Sequence, residues 1–70
     1  MKTLKEWREA RGLRQLDLAY RVGVTPATIA NWETGRREPS ASYFHILAKE
    51  LGVSMDEIDV SEWLEKPAAA

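Results

Sequence analysis

The chain has 70 residues, a net charge of −1, no cysteine, and 44% apolar and 30% charged side chains. One small domain is expected, burying only about 60% of the surface that its unfolded chain exposes. Disulfides and thiolate metal sites are excluded, and the lack of an apolar run near ~18 residues or of a signal-peptide core points to a soluble, cytoplasmic protein.

The charge is unevenly placed. Residues 1–39 hold eight bases and five acids, net +3, whereas residues 40–70 hold two bases and six acids, net −4. Such asymmetry is a hint of an interaction face.

Taken in order, the chain predicts an all-α, compact five-helix bundle. Thr3 and Glu6 form a capping box that opens a first helix, with Leu4, Trp7 and Ala10 facing inward and Gly12 as the stop. The second helix starts near Gln15 and buries Leu18, Ala19 and Val22, which recur on one face. Gly23 supplies the left-handed conformation that ends it. Thr25 and Pro26 then cap and start a third helix, residues 25–34, whose buried stripe is Ile29 and Trp32 and whose end is Gly35. Two helices joined by so short a turn match the helix-turn-helix pattern.

Beyond Gly35, the run Arg36-Arg37-Glu38-Pro39 is an irregular link, because proline cannot continue a helix. Ser40 caps a fourth helix with Phe44, Leu47, Ala48 and Leu51 inward and Gly52 at its end. Ser54 and Glu57 form a second capping box over a short fifth helix with Ile58 as its core residue. Val60, Trp63 and Leu64 keep helical spacing, but Lys66-Pro67 and the three alanines read as a frayed end. Residues 1–60 are therefore expected to form the domain and 61–70 a tail, with a contact function up to Leu64.

The ordered pattern is Leu4-Lys5-x-Trp7-Arg8, Gly12-Leu13-x-Gln15, Leu18-Ala19, Gly23-Val24, Ile29, Trp32-Glu33-x-Gly35, Pro39-Ser40, Leu47-Ala48 and Leu51-Gly52-Val53-Ser54. It strongly resembles the phage Cro and repressor type of helix-turn-helix domain, also called the XRE family, without gaps from about Leu4 to Ile58. The resemblance implies a small bacterial or phage transcriptional regulator with residues 25–34 in the major groove of double-stranded DNA.

The residues themselves agree with that expectation. Thr25, Ala27, Thr28 and Asn31 point away from the Ile29/Trp32 stripe, at the end of a helix where base edges are met in this motif. Asn31 has the donor and acceptor that can bind adenine N6 and N7 together. Thr28 and Ala27 can touch a thymine methyl or a phosphate, while Thr25 and Thr28 can equally serve as helix-end caps. Pro26 belongs to the same DNA-facing turn. For Gln15 the resemblance implies a phosphate contact that also braces the third helix. Where the family usually has a short hydroxyl cap before this glutamine, the chain has Arg14, which puts a cap bond of roughly 1 kcal/mol in question. Arg14 can instead reach the DNA backbone, and Arg36 and Arg37 are stronger phosphate candidates. The resemblance also implies a structural ion pair between Arg8 and Glu33.

Leu16, Tyr20, Tyr43 and Ile46 are apolar where the family usually has polar surface. Ile46, Met55, Ile58, Val60, Trp63 and Leu64 are expected to form a two-fold homodimer contact, or else Trp63 and Leu64 fold back over their own domain. A homodimer would bind a pseudo-palindromic operator. Repression is the expected outcome, since no second, ligand-sensing domain is read in the sequence.

Catalysis has little support: His45 is the single histidine, and no nucleophile–base pair, metal site or glycine-rich phosphate loop can be assembled. No cofactor, metal, small-molecule ligand or membrane partner is implied. The rival reading is a protein-binding adaptor or antitoxin-like module that keeps the fold, favoured by the acidic C-terminal half and the extra apolar residues.

Overall fold

A computed structural model of the chain describes residues 1–64. The expected frayed end at Lys66-Pro67 lies outside the described residues. Local signals set the helix boundaries. The Thr3 hydroxyl accepts the Glu6 N–H at 3.2 Å and the Glu6 carboxylate accepts the Thr3 N–H at 2.8 Å, which opens α1, Leu4–Ala10. Helix α2, Gln15–Val22, ends at Gly23 in the left-handed region, φ +85°. There the Gly23 and Val24 N–H groups both return to the Ala19 carbonyl, at 2.8 and 3.0 Å. Helix α3 spans Pro26–Glu33, and α4 spans Ala41–Leu51 with the Ser40 hydroxyl on the Tyr43 N–H.

Helix α2 packs on both α3 and α4, and α1 closes over α3. Leu4, Leu18, Ile29, Leu47, Leu51 and Ile58 are fully buried, each contributing about 1.5–3 kcal/mol relative to an exposed position. Trp32 and Trp63 complete this core. Among the described residues no helix is long and apolar enough to cross a membrane.

The C-terminal part departs from expectation. The helix predicted from Ser54 is a single 3-10 turn, Met55–Glu57. The Ser54 hydroxyl donates to the Asp56 carboxylate at 2.6 Å instead of accepting from the turn, although the Glu57 carboxylate does accept the Ser54 N–H at 3.0 Å. Ile58 then adopts extended backbone, φ −95° and ψ 125°, and bridges in parallel to Lys2. The Asp59 N–H reaches the Lys2 carbonyl at 2.8 Å. Pairing with the start of the chain draws this segment out of helix, and Ile58 enters the core from an extended backbone.

The fifth helix comes later. Asp59 accepts the Ser61 N–H at 2.9 Å and starts α5, Ser61–Leu64, within the stretch expected to be tail. Trp63 turns inward, 5% exposed, with its ring edge-on to Phe44 at 6.0 Å. This corrects the expected dimer contact: Ile58 and Trp63 are spent on the protomer's own core. Ile46 and Val60 are half-buried against that core, while Met55 and Leu64 remain exposed.

Candidate nucleic-acid interface

The outward side of α3 is built from its first two turns. Thr25 caps the helix, its hydroxyl accepting the Thr28 N–H at 3.2 Å and lying 2.9 Å from the Thr28 hydroxyl. Pro26 occupies the first helical position, where no N–H is needed. Pro26 and Ala27 are exposed, and Thr28 and Asn31 are half-buried on the same strip. Among the described residues the Asn31 side-chain amide has no hydrogen-bond partner. Its N–H2 and C=O are thus available to a ligand, the condition for bidentate readout of adenine. Ile29 and Trp32, almost fully buried, fix the strip from behind.

A buried polar knot sets the angle of α3 against α1 and α2. The Glu33 carboxylate accepts from Arg8 Nε at 2.6 Å, from Arg8 Nη2 at 3.1 Å and from Gln15 Nε2 at 3.0 Å. Arg8 Nη1 donates to the Leu13 carbonyl at 2.8 Å. The fork of the guanidinium matches the carboxylate in bidentate fashion, and the Glu33 hydrogen bond holds the Arg8 guanidinium above its ordinary pKa. Gln15 therefore braces α2 to the end of α3, and its amide also lies at the start of α2 on the half-buried rim of the motif.

Part of the positive charge of the N-terminal half is engaged with the protein's own groups. Arg8 is in the knot, and Arg11 Nε caps α4 by donating to the Leu51 carbonyl at 2.8 Å. Lys2 and Arg11 lie over the Trp7 ring at 5.1 and 5.2 Å, and the Trp7 indole N–H donates to the Glu57 carbonyl at 2.9 Å. Arg14 gives no hydroxyl cap. Its guanidinium instead meets Asp17, 3.1 and 3.2 Å away, while the Asp17 carboxylate accepts the Arg14 N–H at 2.8 Å. These bonds from Arg14 hold the Asp17 carboxyl below the usual carboxylate range. The pair is open to water, so the interaction is weak enough for Arg14 to exchange partners.

Arg36 and Arg37 are different. Both are exposed, and among the described residues neither side chain makes a hydrogen bond or ion pair. Only the backbone of Arg37 is tied, its N–H meeting the Asn31 carbonyl at 3.1 Å. The structure thus brings Thr28, Asn31 and Arg37 to one open cleft, with Trp32, Glu38, Ser40 and Tyr43 as the remaining walls. Arg14 and Gln15 do not line that cleft; Gln15 meets Glu33 at the end of α3 instead.

Glu38, Ser40 and Tyr43 line the cleft but were outside the expected DNA-binding residues, and Tyr43 is the aromatic one among them. Its ring lies 5.6 Å from Trp32 and it is 38% exposed. Its position three residues after the Ser40 cap, one turn into α4, was the signal that could have placed it beside the α3 surface.

Comparison with known proteins gives the family. A family profile described as Helix-turn-helix matches residues 4–58. An uncharacterized HTH-type transcriptional regulator of Methanothermobacter thermautotrophicus is 49% identical over 53 residues, 74% of this chain and 77% of that protein. Another, from Methanocaldococcus jannaschii, is 37% identical over 59 residues, 84% of this chain and 89% of that protein. Human endothelial differentiation-related factor 1 is 29% identical over 65 residues. That match covers 93% of this chain, which spans only 44% of the human protein's length. No solved structure matches. The chain belongs to the helix-turn-helix family of the phage Cro and repressor type.

Proposed function

We propose that this domain binds double-stranded DNA in a sequence-dependent way and acts as a transcriptional regulator, with the outward side of α3 in the major groove. The observation that carries the reading is the unpartnered amide of Asn31 beside Thr28, on a helix locked from behind by Ile29, Trp32 and Glu33. Thr25, Pro26 and Ala27 lead that surface into the groove. Arg36 and Arg37 bind phosphate, and Arg14 and Gln15 reach the backbone at the start of α2. The HTH-type transcriptional regulators among the relatives support the same role.

A helix of eight residues is about 12 Å long and can follow only a few base pairs. Two copies on a pseudo-palindromic operator, with recognition helices about 34 Å apart, would extend the site. Exposed Met55 and Leu64 are the candidate contact residues for such a homodimer, with Ile46 and Val60 at its edge. Repression by blocking polymerase is the proposed outcome.

Selection of bound sites from random duplexes tests the reading. It should enrich a two-fold symmetric sequence with half-sites one duplex turn apart. Recovery of no preferred sequence at low salt would overturn it.

A second reading, an adaptor that docks another protein, is favoured by Leu16 and Tyr20, 56% and 88% exposed on the outward side of α2. Salt separates the two. Affinity for DNA must fall steeply as salt rises, whereas an apolar contact with a protein should hardly change.

A further inference from the structure

Helix α3 ends at Glu33, and the carbonyls of its last turn have no partner within the helix. Local groups take up most of them. The Thr34 N–H meets the Ala30 carbonyl at 3.0 Å, the Gly35 N–H meets Trp32 at 3.2 Å, and the Arg37 N–H meets Asn31 at 3.1 Å. One further bond comes from far along the chain: the Trp63 indole N–H, 31 residues away, donates to the Trp32 carbonyl at 2.9 Å in a buried setting.

That donor stands on α5, Ser61–Leu64, beyond the residues 4–58 that the family profile matches. A second close approach joins α5 to the link just past α3. Gly35 has φ +77°, and a Cβ there would stand 3.2 Å from the Glu62 carbonyl oxygen. Only glycine combines that backbone conformation with so close an approach. Helix α5 therefore lies directly against the joint between α3, which carries Asn31, and the link that carries Arg36 and Arg37.

We propose that α5 is a clamp on the end of the recognition helix, with Trp63 a positioning residue that holds Asn31 and Arg37 in register for one duplex. The inference rests on the DNA-binding reading above. It assigns a DNA-recognition role to a segment that the family profile does not reach.

The clamp works against a counterforce. One carboxylate oxygen of Glu62 is buried with no hydrogen-bond partner among the described residues. Burial pushes the Glu62 carboxyl up, and the charges of Asp59 on its own segment and Glu33 on α3 push in the same direction. A carboxylate with one oxygen buried and unpaired is costly in its charged form, so neutralising Glu62 should tighten α5 on the joint.

Trp63→Phe keeps a ring against Phe44 and deletes the N–H donor. Amide hydrogen exchange of the protein without DNA is the first readout. Gly35 and Arg37 should exchange roughly 3- to 10-fold faster, the effect of one buried hydrogen bond, while Leu18 in α2 keeps its rate. The second readout is Kd for a selected duplex, which should rise by a similar factor under conditions where the variant is fully folded.

Unchanged rates at Gly35 and Arg37, or faster exchange spread evenly over α1–α4, would overturn the clamp. Faster exchange with an unchanged Kd would overturn the positioning role. Glu62→Gln gives a test that does not depend on Trp63→Phe folding: it should slow Gly35 and Arg37 exchange in the free protein, and unchanged or faster exchange would refute the idea. A wild-type chain that binds no duplex would refute the DNA reading, and the positioning role with it, while the exchange rates would still decide whether α5 clamps the joint.

Discussion

Glu33→Ala is expected to be among the most damaging single changes to the fold. The carboxylate accepts three hydrogen bonds, and the ion-paired side chains of Arg8 and Glu33 are only 9% and 2% exposed. Removing one partner of a buried ion pair leaves an uncompensated charge, at a cost of about 3–5 kcal/mol. A 70-residue chain has a total stability of roughly 4–10 kcal/mol, so the loss would consume a third or more of it. Urea unfolding followed by circular dichroism measures it. Arg14→Ala is the internal control, because its ion pair with Asp17 is open to water and should contribute almost nothing. Replacing both members of the buried pair, Arg8→Met with Glu33→Leu, should recover most of the loss, since no orphan charge remains. If Glu33→Ala lost no more stability than Arg14→Ala, the reasoning that burial makes this pair indispensable would be refuted.

Asn31→Ala should cost about 1–3 kcal/mol on the preferred duplex and relax selection at one base position, as read by competition binding. Arg37→Ala should weaken specific and random duplexes alike and flatten the slope of log K against log salt by about one unit. The pH dependence of stability has two opposed parts. Asp17, Asp56 and Asp59 are lowered by hydrogen bonds, chiefly from Arg14, Ser54 and Ser61, so their contribution is present above the ordinary carboxylate range and is lost as pH falls through their folded values. Glu62 is raised, so its contribution is present in acid and is lost as pH rises through its folded value. Glu62→Gln should therefore be more stable than wild type at neutral pH, with the gap closing in acid. Urea midpoints across pH check this, and a gap that widened in acid would contradict the sign.

Much of the fold is legible locally. Thr3 with Glu6, Thr25 with Pro26, Ser40, Gly23 and Gly52 mark helix ends because capping and left-handed backbone are decided within a few residues. The stripe of Leu18, Ala19, Val22, Ile29 and Trp32 follows from helical periodicity. The Arg8–Glu33 pair spans 25 residues and is readable only through family resemblance, since no local pattern couples those positions.

The C-terminal region shows where sequence reading stops. Ser54 with Glu57 has the composition of a helix start, but pairing of Ile58 with Lys2, a contact across most of the chain, overrides that propensity. Trp63 reads equally well as core or as contact surface, because a tryptophan at helical spacing suits both. Its indole bond to Trp32 decides the matter and depends on tertiary closure. Charge counting has the same blind spot: Lys2, Arg8 and Arg11 are engaged with the protein's own groups, while Arg37 lines the Asn31 cleft and Arg36 is exposed next to it in the chain.

The most direct test is amide chemical-shift mapping of the chain titrated with its selected duplex in low-salt buffer. Shifts should concentrate on Thr25–Asn31 and on Arg36 and Arg37, with Leu47 and Leu51 in the core of α4 little changed. Shifts centred on Leu16 and Tyr20 with α3 silent, or no shifts with any duplex, would contradict the placement of α3 in the major groove.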